Sequence, residues 1–291
     1  MHQIGLIVIF FTLCIYPIPS LASHLIEIAA VKKNSIEYEI AGNLCRIANQ
    51  SLFKQGVQCT TFASENFQEN IERLQAGQAQ FALIPSDFQN NAFNGLADLS
   101  NLGEFTDLRS VFSLYQQYFS IFVTKTSKIN DFKDLKGKRI NIGQRNSTEQ
   151  RIMKKMLAAQ GWNRHNFTRV FELNSQEQIN ALCTDVIENI LFISPTPKKI
   201  ADAAAKQCDI KPIIIENDYR LRSTLVTTTA VAQDKVYSFT AAIFSHIDKL
   251  RKSHSALGKL SVFEMATEEL FAPVHPGAEQ YYQEIGVTIM D

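Results

Sequence analysis

Leu108 to Thr124 reads as one long extended, aromatic segment, and on either side of it the chain cycles between strand and helix. Before it come a strand at Leu25–Ala30 and a helix at Glu37–Phe53 with apolar residues at Ile40, Leu44, Ile47 and Ala48. A strand at Val57–Phe62, a helix at Gln68–Ala76 ended by Gly77, and a buried strand at Phe81–Ile84 stopped by Pro85-Ser86-Asp87 follow. After it the cycle restarts: strand Arg139–Ile142, helix Thr148–Gln160, strand Thr168–Glu172, helix Ser175–Cys183, strand Asn189–Ile193. The remainder reads as a helix at Pro195–Ala205, a strand at Ile210–Ile215, a β-rich run at Ser223–Ala232, and helices at Lys235–Ser253 and Ser261–Leu270. Such alternation predicts an α/β fold with mostly parallel sheets and helices on both faces. Two cycles bridged by extended chain predict two lobes joined by two crossings, near Ser113–Thr124 and Tyr219–Thr228. Residues 23–116 with 225–291 would form lobe I and residues 117–224 lobe II. Ligands in such sheets sit beyond the strand C-termini, here in the cleft between the lobes.

The segment Asp134-Leu-Lys-Gly-Lys-Arg-Ile-Asn-Ile-Gly143 adds chemistry to this frame. A turn and a short strand stop at glycine, and Asn146-Ser147-Thr148 open a helix. Free backbone N–H groups and the positive helix end make that turn an anion pocket.

The apolar run Ile4–Ile15, the break at Pro17 and Pro19, and the small residues Ser20-Leu21-Ala22 read as a signal peptide cleaved after Ala22, so the protein is expected in the periplasm. Lys+Arg and Asp+Glu both number 29, a balance that argues against nucleic-acid binding. Cys45, Cys59, Cys183 and Cys208 remain after cleavage and suggest two disulfides. Of the three pairings, Cys45–Cys59 with Cys183–Cys208 is preferred, because each joins a helix to the next strand of its own segment. No C-x-x-C, G-x-S-x-G, H-E-x-x-H, Walker A or dinucleotide fingerprint occurs, so no catalytic residue, metal site or cofactor is assigned. His275-Pro-Gly-Ala reads as a helix-start turn.

Several motifs in order resemble the solute receptors of TRAP transporters of the TAXI subfamily, over essentially the whole mature length. They are Gly77-Gln-Ala-Gln-Phe-Ala-Leu-Ile-Pro-Ser-Asp87, Leu114-Tyr115, the turn Asp134–Gly143, Leu182-Cys183, and Pro273-Val-His-Pro-Gly-Ala-Glu-Gln-Tyr-Tyr-Gln-Glu-Ile-Gly286. The resemblance implies a type II periplasmic-binding-protein fold. It also implies a monomeric receptor that captures a small organic anion, an amino acid or a dicarboxylate such as glutamate, and delivers it to TRAP membrane permease subunits. A ligand-sensing module for a signalling partner would read the same way.

The ligand loops depart from the family pattern. The glycine-rich T-G-G-x-G-G-x-Y-Y reads Ala30-Val-Lys-Lys-Asn-Ser-Ile-Glu-Tyr38, G-S-x-x-N reads Asn66–Asn70, and G-S-G-T reads Asn146–Glu149. On this basis Lys32, Lys33, Ser35, Tyr38, Asn70, Ser86, Asp87, Arg145, Asn146, Ser147 and Thr148 are the expected ligand-binding residues. Side chains where the family has glycine fill space that backbone would otherwise leave to a ligand. Lys32, Lys33 and Arg145 would bring cations to the rim and favour a more anionic ligand.

Overall fold

The computed structural model describes residues 24–145, 147–215 and 219–289. The leader read at residues 1–22 and the candidate Asn146 lie outside them.

The strands are β1 (His24–Val31), β2 (Val57–Ser64), β3 (Phe81–Pro85), β4 (Leu108–Thr124), β5 (Arg139–Asn141), β6 (Arg169–Phe171), β7 (Ile190–Ser194), β8 (Ile210–Pro212) and β9 (Arg220–Thr228). The helices are α1 (Ile36–Ser51), α2 (Phe67–Gln75), α3 (Ser86–Phe93), α4 (Thr148–Ala159), α5 (Ser175–Cys183), α6 (Pro197–Ala204), α7 (Gln233–Ser245), α8 (Ile247–Ser253), α9 (Val262–Thr267) and α10 (Pro276–Glu284). A seven-stranded sheet runs β2-β1-β3-β9-β4-β7, with β8 also on β4, and β5 pairs β6 separately.

Pairing is parallel within the strand–helix cycles, at β1–β2, β1–β3 and β5–β6. Every strand–strand ladder that includes β4 or β9 is antiparallel, beside an isolated parallel bridge from Ser110 to Val274. These two strands are the crossings, and their own ladder shifts register between Ser110 and Phe112 and again between Ser113 and Gln116. Bulges bend a ladder and raise its twist, so the long strands turn where they leave one packed region for the next.

Four hydrophobic clusters divide there. Phe112, Leu114 and Tyr115 of β4 pack with Ile26, Leu44, Phe81, Phe239 and Tyr282, and a neighbouring cluster holds Ile71, Ile84 and Leu99. Phe119, Ile121 and Val123 pack instead with Leu135, Ile140, Met153 and Leu191, next to Leu182 and Ile190. Each fully buried aliphatic or aromatic side chain contributes about 2 kcal/mol of transfer free energy. Both halves therefore own a core of their own.

Both expected disulfides form, Cys45–Cys59 and Cys183–Cys208. Several elements differ from the sequence reading; the strand read at Ile210–Ile215 stops at Pro212, and the run read at Ser223–Ala232 is β9, Arg220–Thr228. Ser86-Asp87, read as part of the stop after the third strand, open α3, whose inner face buries Phe88, Gln89 and Ala92. The helix read at Lys235–Ser253 breaks at His246 (φ −116°, ψ 27°) into α7 and α8. The one read at Ser261–Leu270 stops at Thr267, and Glu269 then turns left-handed at φ 55°.

Candidate functional site

Every strand of the two parallel cycles delivers a loop to the same place. After β1, the Lys32 amide donates to Ser64 O (2.8 Å), tying the loop to the end of β2. Ser35 then caps α1, its hydroxyl accepting from Tyr38 N (3.1 Å). After β2, Asn66 caps α2 by accepting from Glu69 N (2.9 Å). After β5, Gly143 turns at φ 92°, and Ser147 caps α4 by accepting from Gln150 N (3.1 Å). A Cβ on Gly143 would stand 3.0 Å from Gln150 N, so glycine is required at that turn. After β6, Asn174 caps α5. Buried Asn141 holds the last two loops together: its Oδ1 accepts from Gly143 N (3.2 Å) and from Leu173 N (2.9 Å).

These ends enclose a cavity of ≈ 710 Å³. One side is formed by Lys32, Asn34, Ser35, Glu37, Glu65, Asn66 and Pro85, the other by Gln144, Arg145, Ser147, Thr148, Glu149 and Ser175. Gln117 of β4, Ile193 and Leu221 lie between them. The N-termini of α1, α2, α4 and α5 all open on it, giving it a positive backbone lining.

Of the expected ligand residues, Lys32, Ser35, Arg145, Ser147 and Thr148 line this cavity. Arg145 is bound by Glu172 at 3.2 Å and its side chain is 78% exposed. Lys33, Tyr38, Asn70, Ser86 and Asp87 do not line it. Lys33 is exposed on the loop. Tyr38 faces a separate cavity of ≈ 560 Å³ beside the Cys45–Cys59 bridge, because one residue past Glu37 the helix has turned its side chain away. Asn70 is fully buried on the inner face of α2 and donates to Leu83 O (3.1 Å). Ser86 is buried and donates to Glu269, and Asp87 is held by Arg151 at 2.9 Å. That last pair joins α3 of the first half to α4 of the second.

The sequence reading missed the floor. Glu37 is 9% exposed, and Tyr115 OH (3.1 Å) and Gln117 Nε2 (3.4 Å) both donate to its Oε1. Burial raises the Glu37 carboxyl above its ordinary range, opposed by its own amide and by bonds from Tyr115, Ser35 and Gln117. Burial, then the Glu37 charge, pushes Tyr115 well upward and keeps its hydroxyl a donor. A signal existed: Glu37 sits three residues before Ile40, on the stripe that continues through Ala41, Leu44 and Cys45.

A family model described as the NMT1-like family matches residues 28–224 and 221–286. The chain belongs to that family. Solved structures share its architecture. A Xanthomonas citri protein bound to ATP aligns with TM-score 0.62 and 11% identity, over 90% of this chain and 96% of that one. A periplasmic sulfonate-binding protein from Methylobacillus flagellatus aligns with TM-score 0.59 and 15% identity, over 90% and 87%. A binding-protein component of an ABC phosphonate transporter from Pseudomonas aeruginosa gives TM-score 0.54 and 13% identity, over 81% and 79%. This NMT1-like chain thus has the two-lobed α/β fold of periplasmic binding proteins. No helix among its described residues is long and apolar enough to cross a membrane.

Proposed function

We propose that this NMT1-like protein is an extracytoplasmic solute receptor that captures a small charged metabolite between its lobes and delivers it, unchanged, to membrane permease subunits. The observation that carries the reading is the ≈ 710 Å³ cavity, which gathers strand C-termini and four helix N-termini from both halves. The lobes are residues 23–116 with 225–291 and residues 117–224, which accords with the division of the hydrophobic clusters along β4 and β9.

An acid group of the ligand is received by Lys32, Arg145 and the amides around Ser147. Contacts from both lobes favour the closed form over the open one, and the permease responds to that difference. The order of motifs along the sequence favours a TRAP-type permease, whereas several fold neighbours are described as parts of ABC transporters. Co-purification from a host membrane carrying each class separates the two.

Mass spectrometry of small molecules released on denaturing the purified protein tests capture. One acid-bearing metabolite at near-stoichiometric yield is expected, with Lys32→Ala weakening its retention about tenfold. An empty protein that also shows no thermal shift with a panel of carboxylates and sulfonates would overturn the reading.

A further inference from the structure

Arg222 is a cation in a buried stretch of strand. Every other residue of β9 from Leu221 to Thr228 is apolar or carries a hydroxyl, and all are buried. The Arg222 side chain is 8% exposed, whereas those of its partners Glu264 and Glu268 on α9 are 42% and 50% exposed. A well-packed apolar residue would serve the fold about as well, because taking a guanidinium out of water offsets much of what its ion pairs contribute. Part of the cost is not compensated at all: buried Nε has no hydrogen-bond partner. The position of Arg222 in the ladder gives the cation a use.

β3 ends where Pro85 faces Ser223, so the next amide of β9, that of Arg222, has no strand beside it. Ser86 Oγ (3.1 Å) and Glu269 Oε2 (2.8 Å) accept from it instead. On the other side, β4 carries one residue more than β9 between the pairs Ser113–Thr224 and Gln116–Arg222. Leu114 lies in that bulge, and Arg222 Nη1 donates to its carbonyl (3.0 Å). Nη2 donates to Glu264 Oε2 (2.8 Å) and Glu268 Oε2 (3.0 Å). Ser113 Oγ, on the near side of the bulge, donates to Glu264 O (3.1 Å). One step beyond, Gln117 pairs with Leu221, and both line the cavity.

We propose that Arg222 is the positioning residue of lobe closure. It pins β4 and β9 to α9 where both strands leave the first half, so the lobes turn about that point. Gln117 and Leu221 thereby keep their places at the cleft floor. Hinges concentrate backbone change in a few residues, and a fixed anchor beside them decides where the turn occurs. The inference uses the two-lobe reading but no particular ligand.

Hydrogen–deuterium exchange and solution scattering of the ligand-free, full-length mature protein test this. Arg222→Met keeps the apolar bulk and removes the anchor. Its amides at residues 116–118 and 221–223 are expected to exchange about tenfold or more faster than in the wild type. Residues 26–29 and 40–48 should keep their protection, and the radius of gyration should rise. Arg222→Lys, which has the charge without the planar fork, should fall between the two. Glu264→Gln combined with Glu268→Gln, at half-exposed positions, should loosen the same amides about threefold or more. Wild-type exchange at those amides in Arg222→Met, or an unchanged radius of gyration, would overturn the assignment and leave solute capture standing. Protection lost equally across the whole sheet would do the same, since it would make Arg222 an ordinary stabilising residue. If Arg222→Met does not fold, the double glutamine variant decides by the same comparison.

Discussion

Lys32 adopts φ 44°, a left-handed conformation that costs an L-residue with a side chain about 1 kcal/mol. Glycine would hold that backbone without strain, and here the position carries a cation instead. Five residues on, Glu37 carries a different cost, that of a carboxylate set in a buried place. Its folded pKa lies above the ordinary 4.5, so the folded state holds the proton more tightly than the unfolded one. Below the unfolded pKa both states are protonated and nothing is lost. As pH rises through the folded pKa the wild type ionises in place and loses stability. Glu37→Gln in the ligand-free protein should therefore melt higher than wild type at pH 7 to 8. The gain should shrink toward zero near pH 4.5, as read by calorimetric scans across pH. A constant difference at every pH would show that burial of the charge is not the cause. Glycines lost from a loop are visible in the sequence; an acid on the wrong side of a helix is visible only if its stripe is traced back past the cap. Lys33 and Asp87 fall outside the cavity lining, since charge at the end of a strand says nothing about which way the side chain leaves.

Among elements, the strand–helix alternation was legible because each period is set locally by apolar spacing and by caps such as Ser35, Asn66 and Ser147. The short helix α3 was not, since Pro85-Ser86-Asp87 is equally good chemistry for a turn and for a helix start. The breaks at His246 and Thr267 depend on tertiary packing, which no local pattern encodes. The tail is held by unusually close contact between α10 and α7. A Cβ on Gly277 would stand 2.2 Å from Gln233 O and 2.8 Å from Tyr237 N, both backbone atoms that cannot yield cheaply. His275 caps α10 by accepting from Gly277 N (3.1 Å), while its other ring nitrogen meets Val231 O (3.0 Å). Burial lowers its pKa, so the neutral ring persists and fits both bonds. Gly277→Ala should destabilise the protein by roughly 3 kcal/mol, measured by denaturant unfolding, because α10 must move off α7. A loss under about 0.5 kcal/mol would mean that the two helices separate freely.

Across the molecule, charged contacts join the two proposed lobes, among them Arg222 with Glu264 (2.8 Å) and Glu268 (3.0 Å), and the one between α3 and α4 is open to measurement. Arg151 of α4 reaches Asp87 of α3 through Nη2 (2.9 Å) and Nε (3.1 Å), and its guanidinium lies 5.1 Å from the Phe88 ring centroid. Both bonds fall on Asp87 Oδ2, while buried Oδ1 has no partner. The contact ties α3 to α4 with no ligand between them, and so should favour a closed arrangement. Arg151→Ala should increase the radius of gyration of the ligand-free protein in solution scattering. It should weaken ligand affinity about tenfold, since closure would then draw on the ligand alone. An unchanged scattering curve would place the closing force elsewhere. Because β3 finds its antiparallel neighbour in β9, and α7 and α10 follow β9, the N-terminal half cannot finish its core early. A ribosome-bound fragment ending before Arg220 would hold Phe81 and Leu83 without their cover, so synthesis from the N-terminus leaves the first core open until β9 and α7 have emerged, later than the cluster of Phe122, Leu182 and Ile190 needs.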